Sequence, residues 1–530
     1  MNTRVNGAVD LAQPASSRAR AWPLGTQARA TPLAYALVLA LVTVSVSCSE
    51  RAKPNNVLLI VIDTLRADHL SCYGYERDTS PRIDELAANG LRFTHAQAPR
   101  AKTTPSVATL MTGLYPQQHG LRDLTMSLRA GVPTLAEELK QAGYSTRAIV
   151  GNYVLKKELS ALDRGFETWI EDLPETRGVP PDAVPQRSAA SLTDGALELM
   201  GWSHAPDADS RATDEPFFLY LHYMDPHGLY DPPPQHQIFS SGHPAPIDTR
   251  TSTKGGYEAR IATYNVPENA WLATGEVDAA AVMDLYDGEV HYVDHEIGRL
   301  LDGMRSAGEL EHTWIVIVSD HGESMGEHRY WFEHGLYAFE ATCRVPLIVV
   351  PPASLTDRPE AGVRHADLSL ADLRPTLMTW LKLQAAVPEG RGPYGVSRAD
   401  LLRADSTSSH PVFSEKVDRD SRERAIQTKA VRIGDTKLIR RYLPRAEPGK
   451  YRVVEQLFDL TRDPSEENDL LSAGVQSEAA QSFELLNASL EAFVRGDTDF
   501  EDLPRILHGK REALGRENPE ALRVLEALGY

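Results

Sequence analysis

The run Val57–Asp63, VLLIVID, constrains this chain most. Six consecutive aliphatic residues leave no side for water, which is the pattern of a strand covered on both faces, and the closing carboxylate is delivered at its C-terminal edge. Similar runs recur at 148–151, Phe217–His222 (FFLYLH), Thr313–Ser319 (TWIVIVS) and Pro346–Val350, with helical periodicity such as Thr134–Ala142 between them. This alternation predicts an α/β fold: a doubly wound, largely parallel sheet flanked by helices. In such sheets ligands collect outside the carboxyl ends of the strands, and Asp63, Asp225, His227, Asp320 and His321 all follow strand-like runs.

A chain of 530 residues exceeds one compact core, so a large catalytic domain with a smaller appendage is expected. The catalytic part is placed at 52–405. Beyond it the alternation fades, and Lys429–Leu460 reads as short strands around turns, so 406–530 is predicted to form a small antiparallel subdomain followed by C-terminal helices. Within the catalytic part, Leu229–Ala280 holds PPP, SSGHPAP and TRTSTKGG with little periodicity, which suggests an excursion over one face of the sheet.

The first 47 residues read as a signal peptide. Pro32–Ser47, PLAYALVLALVTVSVS, is apolar and uncharged, follows arginines, and is short for a membrane span. Cys48 follows directly, where a bacterial lipoprotein signal places the cysteine that receives lipid. Export from a bacterial cytoplasm is therefore expected, to the periplasm or to a membrane-anchored state if Cys48 is modified; a simple secretory signal or an uncleaved anchor is the alternative. Only Cys72 and Cys343 remain, too few for a disulfide framework. Formal charge is -19, and the leader is itself basic, so the remainder is more acidic still; a nucleic-acid partner is disfavoured.

Chemistry concentrates at the strand ends. Asp320 and His321 in SDHGE, with Asp63 from another strand, offer oxygen and nitrogen ligands for one divalent cation. Four stretches then carry a family likeness: NVLLIVIDTLRADHLSCYGYERDTSPRIDELAANGLRFTHAQA, TTPSVATLMTGLYPQQHG, SDHGESMGEH and LFDLTRDPSEENDL, in order from about Asn55 to Leu470. Together they resemble the sulfatases of the alkaline phosphatase superfamily.

Sulfatases carry Cys-x-Pro-Ser-Arg at the start of a helix and convert the cysteine to formylglycine. Here the corresponding positions hold Thr103, Thr104, Pro105, Ser106 and Val107, so no formylglycine is expected and the arginine is missing. The resemblance implies Thr103 as nucleophile and Asp63, Asp320, His321 and Thr103 as metal ligands. A hydroxyl at a helix N-terminus beside a cation suits that role, although TTPS also reads as a helix cap, and the two are compatible. Thr64 replaces the second aspartate of many sulfatases, which shifts the expected ion from calcium towards manganese, zinc or magnesium.

By the same resemblance His227, in YMDPHG, is the expected general acid, His334 the group that donates to the substrate anion or binds a second metal, and Asn152 a substrate contact; Glu327 and His328, in the GEH motif, either join the site or only order the loop. Asp459, Asp463 and Glu466 in the late motif are assigned no catalytic role. The implied function is metal-dependent hydrolysis of sulfate or phosphate esters, with phosphoesters or phosphonates favoured. A phosphoryl transferase acting on an envelope glycan or lipid uses the same residues. A lipid-anchored binding protein without activity is the third reading, and retention of Asp63, Thr103, Asp320 and His321 speaks against it.

Overall fold

The computed structural model describes residues 55–173, 185–203, 215–248, 253–254, 257–258, 260–386, 395–402, 409–419, 425–447, 450–472 and 477–527. Cys48 and the expected signal segment lie outside these residues. Residues 53–530 form one compact unit.

Its centre is an eight-stranded sheet made of β1 (Asn56–Ile62), β2 (Leu91–Gln97), β3 (Ser145–Val150), β4 (Thr168–Ile170), β5 (Phe217–Tyr223), β6 (Thr313–Ser319), β7 (Arg344–Val350) and β8 (Gly362–Ser369). The spatial order is β8-β2-β7-β6-β1-β5-β3-β4. Strand β1, the VLLIVI run, lies between β6 and β5, parallel to both and wholly buried. The sheet is mostly parallel as expected, but β7 runs antiparallel to both β6 and β2. Nothing like a crossover helix separates β6 from β7, so the chain re-enters the sheet from the end at which β6 left it.

Strand alternation divides the core. Val57, Leu59 and Val61 face one layer with Phe218, Tyr220, Val316 and Val318, covered by helix α1 (Thr103–Thr112) through Val107, Ala108, Leu110 and Met111. Leu58, Ile60 and Ile62 face the opposite layer, covered by the 28-residue helix α2 (Ala279–Ser306). Each large aliphatic side chain buried this way contributes about 1.5–3 kcal/mol. That sum, spread over both faces, fixes where β1, β5 and β6 end and hence where their terminal polar residues sit.

The excursion of 229–280 contains two-residue strands and 3-10 turns. Arg260–Ile261 pairs with Tyr330–Trp331, and Asn265 Nδ2 donates to the Phe332 carbonyl at 2.8 Å, which ties the excursion to the loop carrying His334. The C-terminal region forms a separate antiparallel sheet of β9 (Val412–Arg419), β10 (Ala425–Ile433), β11 (Thr436–Pro444) and β12 (Tyr451–Asp459), followed by helices that begin with α3 (Ser477–Arg495). Phe413 of β9 stacks on Phe493 of α3 with ring centroids 4.4 Å apart. Cys72 and Cys343 are free thiols.

Candidate active site

Asp63, His222 and Asp320 converge because three adjacent parallel strands end side by side. Asp63 and Asp320 stand one residue past β1 and β6, and the register pairs Val61 with both His222 and Val318. Period-two alternation then points Asp63, His222 and Asp320 to the face shared by Val61, Tyr220 and Val318. One ligand atom from each of the three residues lies within 4.8 Å of the others, and all three residues are fully buried.

Thr103 approaches from α1. The helix begins with Lys102 as its N-cap, and no side chain caps it. The Thr103 hydroxyl instead donates to Asp63 Oδ2 at 3.4 Å and stands 3.4 Å from His321 Nε2. His321 Nδ1 lies 3.1 Å from the Gly322 carbonyl; donating there leaves Nε2 with its lone pair facing Asp63 Oδ1 and Asp320 Oδ2, at 3.7 and 3.6 Å. The four expected metal ligands are thus brought together, and His222 joins them, with Nε2 3.8 Å from Asp320 Oδ2.

The polar bookkeeping of this cluster is incomplete. Asp63 Oδ1, Asp320 Oδ2 and both ring nitrogens of His222 have no hydrogen-bond partner among the described residues. Buried polar atoms are nearly always satisfied, and each orphan costs about 1–3 kcal/mol. Two buried carboxylates and two imidazoles with lone pairs facing one point are a donor set that fits a divalent cation.

Electrostatics agree with that fit. Burial, then the charge of Asp320, raises the Asp63 carboxyl above its ordinary range. Burial works against the Asp320 carboxylate too, but His321 and His222 outweigh it and hold this acid down. Burial lowers His321, keeping its imidazole neutral, the form that binds metal.

Asn152, expected at the substrate, is engaged with Asp63. Its Nδ2 donates to Asp63 Oδ2 at 2.6 Å, and its Oδ1 accepts from the Val154 amide at 3.1 Å, so it orients that carboxylate. Thr64 follows Asp63 with φ at 54°, an unusual conformation for a β-branched residue that costs about 1–3 kcal/mol. Val107 is fully buried and packs into the α1 layer of the core.

The remaining histidines stand over the cluster. The His334 ring centroid is 4.3 Å from that of His321 and 5.2 Å from that of His227. His334 Nδ1 is 3.3 Å from Glu323 Oε1, whose other oxygen accepts from Tyr230 at 3.2 Å; burial pushes Glu323 up to about 7. His227 is half-buried, with Nδ1 2.8 Å from the Gly228 carbonyl, so Nε2 is the nitrogen left for chemistry. Glu327 pairs with Arg66 at 2.7 Å and His328 stacks on Phe339, contacts that order their loop.

The family model described as Sulfatase matches residues 55–383. The chain belongs to the sulfatase family. An arylsulfatase of Clostridium perfringens is 25% identical over 493 residues, covering 84% of this chain and 96% of that one. The N-acetylglucosamine-6-O-sulfatase of Bacteroides thetaiotaomicron is 23% identical over 524 residues, covering 85% and 88%. Among solved structures, one in complex with its substrate D-glucosamine-2-N,6-O-disulfate has a TM-score of 0.65 at 22% identity, covering 84% and 99%. The phosphonate monoester hydrolase of Agrobacterium radiobacter has a TM-score of 0.59 at 22% identity, covering 82% and 95%.

This sulfatase-family protein is accordingly a hydrolase of the sulfuric and phosphoric ester class. Enzymes of the family generally use a divalent metal ion, which is consistent with the Asp and His donors described above. Among the described residues, no helix is long and apolar enough to cross a membrane.

Proposed function

We propose that this hydrolase acts through Thr103 as nucleophile and prefers phosphate diesters or phosphonate monoesters to sulfate esters. The observation that carries the reading is the Thr103 hydroxyl held 3.4 Å from both Asp63 Oδ2 and His321 Nε2, beside carboxylate and imidazole atoms that lack partners. Asp63, Asp320, His321 and His222, with Thr103, would hold one divalent cation. Bound there, such an ion neutralises the carboxylates, favours the alkoxide and polarises the ester.

Thr103 Oγ1 forms a bond to phosphorus and its proton passes to Asp63 Oδ2, the oxygen that Asn152 also orients. The bond from phosphorus to the leaving oxygen breaks, and His227 Nε2 supplies the proton that oxygen needs. His334, neutral and close to the cluster, donates to a non-bridging oxygen. Water then attacks phosphorus, giving its proton to His227; the bond from phosphorus to Thr103 Oγ1 breaks, and Asp63 returns the proton to that oxygen.

The preference for phosphorus follows from counting hydroxyls. Hydrated formylglycine has two, so one takes the sulfuryl group and the other expels it by carbon–oxygen cleavage. Threonine has one, and its adduct opens only by attack at phosphorus or sulfur. The phosphonate monoester hydrolase of Agrobacterium radiobacter among the structural relatives is in keeping with such substrates. Metal-loaded protein given aryl sulfate, phosphate monoester, phosphate diester and phosphonate with one shared leaving group should show the highest kcat/KM on the last two. Thr103→Ala should lower that rate at least about a hundredfold with the fold intact. A higher kcat/KM for the sulfate, lost in Thr103→Ala, defeats the substrate preference; near-native turnover of Thr103→Ala defeats the nucleophile.

The chain is read as exported, with lipid on Cys48. Cytosolic fractionation of the mature protein would exclude export, and lipid labelling that survives Cys48→Ser would exclude the modification.

A further inference from the structure

Away from the catalytic cluster, three imidazoles meet on one side of α2. His291 and His295 lie four residues apart and project from the same helical face. His236 closes the 3-10 turn Pro234–His236, which rests directly on that helix: a Cβ placed on Gly288 would meet Pro232 at 2.8 Å and the His236 carbonyl at 2.9 Å. The His236 side chain is buried beneath the turn, His291 is half-buried and His295 is exposed. No catalytic step uses any of the three.

Two of the three rings already present nitrogens to one point, and the third stands beside them. His236 Nδ1 and His291 Nδ1 stand 2.9 Å apart, and the His236 ring centroid is 5.0 Å from His291 and 5.5 Å from His295. Two imidazole nitrogens at 2.9 Å share one proton. A tetrahedral ion about 2.0–2.1 Å from each nitrogen needs them about 3.3 Å apart, so a few tenths of an ångström separate the hydrogen bond from a metal bridge. His295, at the surface, can turn about its side-chain torsions to bring a third nitrogen to the same point, and solvent completes the shell. A packing role needs only the His236–His291 pair; the third imidazole at helical spacing is what such a role leaves unexplained.

We propose that His236, His291 and His295 form a second metal site, for imidazole-preferring divalent ions of the zinc, nickel and copper class, that clips the 234–236 turn onto α2. Its all-nitrogen ligand set contrasts with the oxygen-containing catalytic centre and predicts different ion preference. The proposal is independent of the Thr103 mechanism.

The test is equilibrium dialysis of the full-length protein against zinc chloride, with bound zinc counted by elemental analysis. It is run on Asp320→Ala, so that the catalytic centre does not dominate, and on the same background with His291→Gln or His295→Gln. The expected result is one zinc equivalent in the Asp320→Ala protein, lost or weakened at least about tenfold by either histidine change, with loss of the zinc-dependent rise in Tm. His295→Gln alters an exposed side chain and keeps the comparison available should the His291 variant fold poorly. Equal zinc stoichiometry and affinity in all three proteins, or no zinc bound by Asp320→Ala alone, would overturn the site.

Discussion

Two of the buried charge clusters among the described residues are built on opposite plans. In the first, Arg122 donates to both Glu415 oxygens at 2.9 and 2.8 Å and to both Asp497 oxygens at 2.8 and 2.9 Å, and Lys429 reaches the same two acids at 2.5 and 2.8 Å. Two cations meet two anions, with every acid oxygen engaged. In the second, Asp63 and Asp320 share a pocket with His222 and His321, and lone pairs on three of those four residues find no donor. Both clusters are equally dry. Burial alone therefore does not mark function; what distinguishes the candidate site is that several of its oxygens and nitrogens lack a partner among the described residues.

The widest separation between the two should come from Asp320→Ala. Affinity of the Asp63–Asp320 centre for its divalent cation and turnover should both fall at least about a thousandfold, because the cation loses a carboxylate ligand. The metal-free protein should unfold at an unchanged or higher temperature, since one of two mutually repelling buried acids is gone. A metal-loaded, active Asp320→Ala enzyme would erase the distinction.

Glu415→Gln should do the reverse. Leaving Arg122 and Lys429 with one fewer partner should cost about 3–5 kcal/mol in denaturant unfolding, while metal content stays as in the parent. Loss of metal with retained stability would show that the two clusters are not separate devices.

A smaller effect tests the ligand added to the catalytic set. His222→Asn should weaken metal binding about 10–100-fold, and added metal should restore turnover if His222 helps to hold the ion. Insensitivity of metal affinity to this change would reduce the set to Asp63, Asp320, His321 and Thr103.

The smallest effect lies on the acid side. Arg122 and Lys429 outweigh the cost of burial and bring Glu415 from an ordinary 4.5 down to about 2. The folded-state value is depressed, so its stabilisation is complete above the unfolded value and is lost as pH falls from about 4.5 through 2. Acid titration of unfolding free energy should show a shallower decline over that window in Glu415→Gln than in the parent. Parallel curves would mean that Glu415 titrates alike in both states.

How much of this was legible depended on where each residue sits. Asp63 and Asp320 follow uninterrupted aliphatic runs, so strand type and carboxyl-end position are written in the sequence itself. His222 carries a signal that was read only as part of a strand: alternation through Phe218, Tyr220 and His222 puts it on the face of Val61. Strands β2 (LRFTHAQ) and β8 (GVRHADLS) mix charge with apolar residues near one side of the sheet, and no buried run announces them. The reversed direction of β7 follows from the lack of a crossover helix between 320 and 343, where the helix Glu340–Cys343 is a single turn, not from the β7 residues. The Arg122–Glu415–Lys429–Asp497 cluster joins residues up to 375 positions apart, and no local pattern could pair them.

Val107 bears on what the family motif would demand of this chain. The Cys-x-Pro-Ser-Arg pattern would need cysteine at 103 and arginine at 107, and the two changes are not equally accessible. The first swaps one small side chain for another at the head of α1. The second puts a guanidinium where a valine lies fully enclosed among Val61, Val318 and their neighbours, with overpacking and desolvation to overcome before any gain from anion binding. A cysteine at 103 alone would still lack the arginine of the family motif. Core packing, rather than the head of α1, is thus what stands between this chain and the arginine of the family motif.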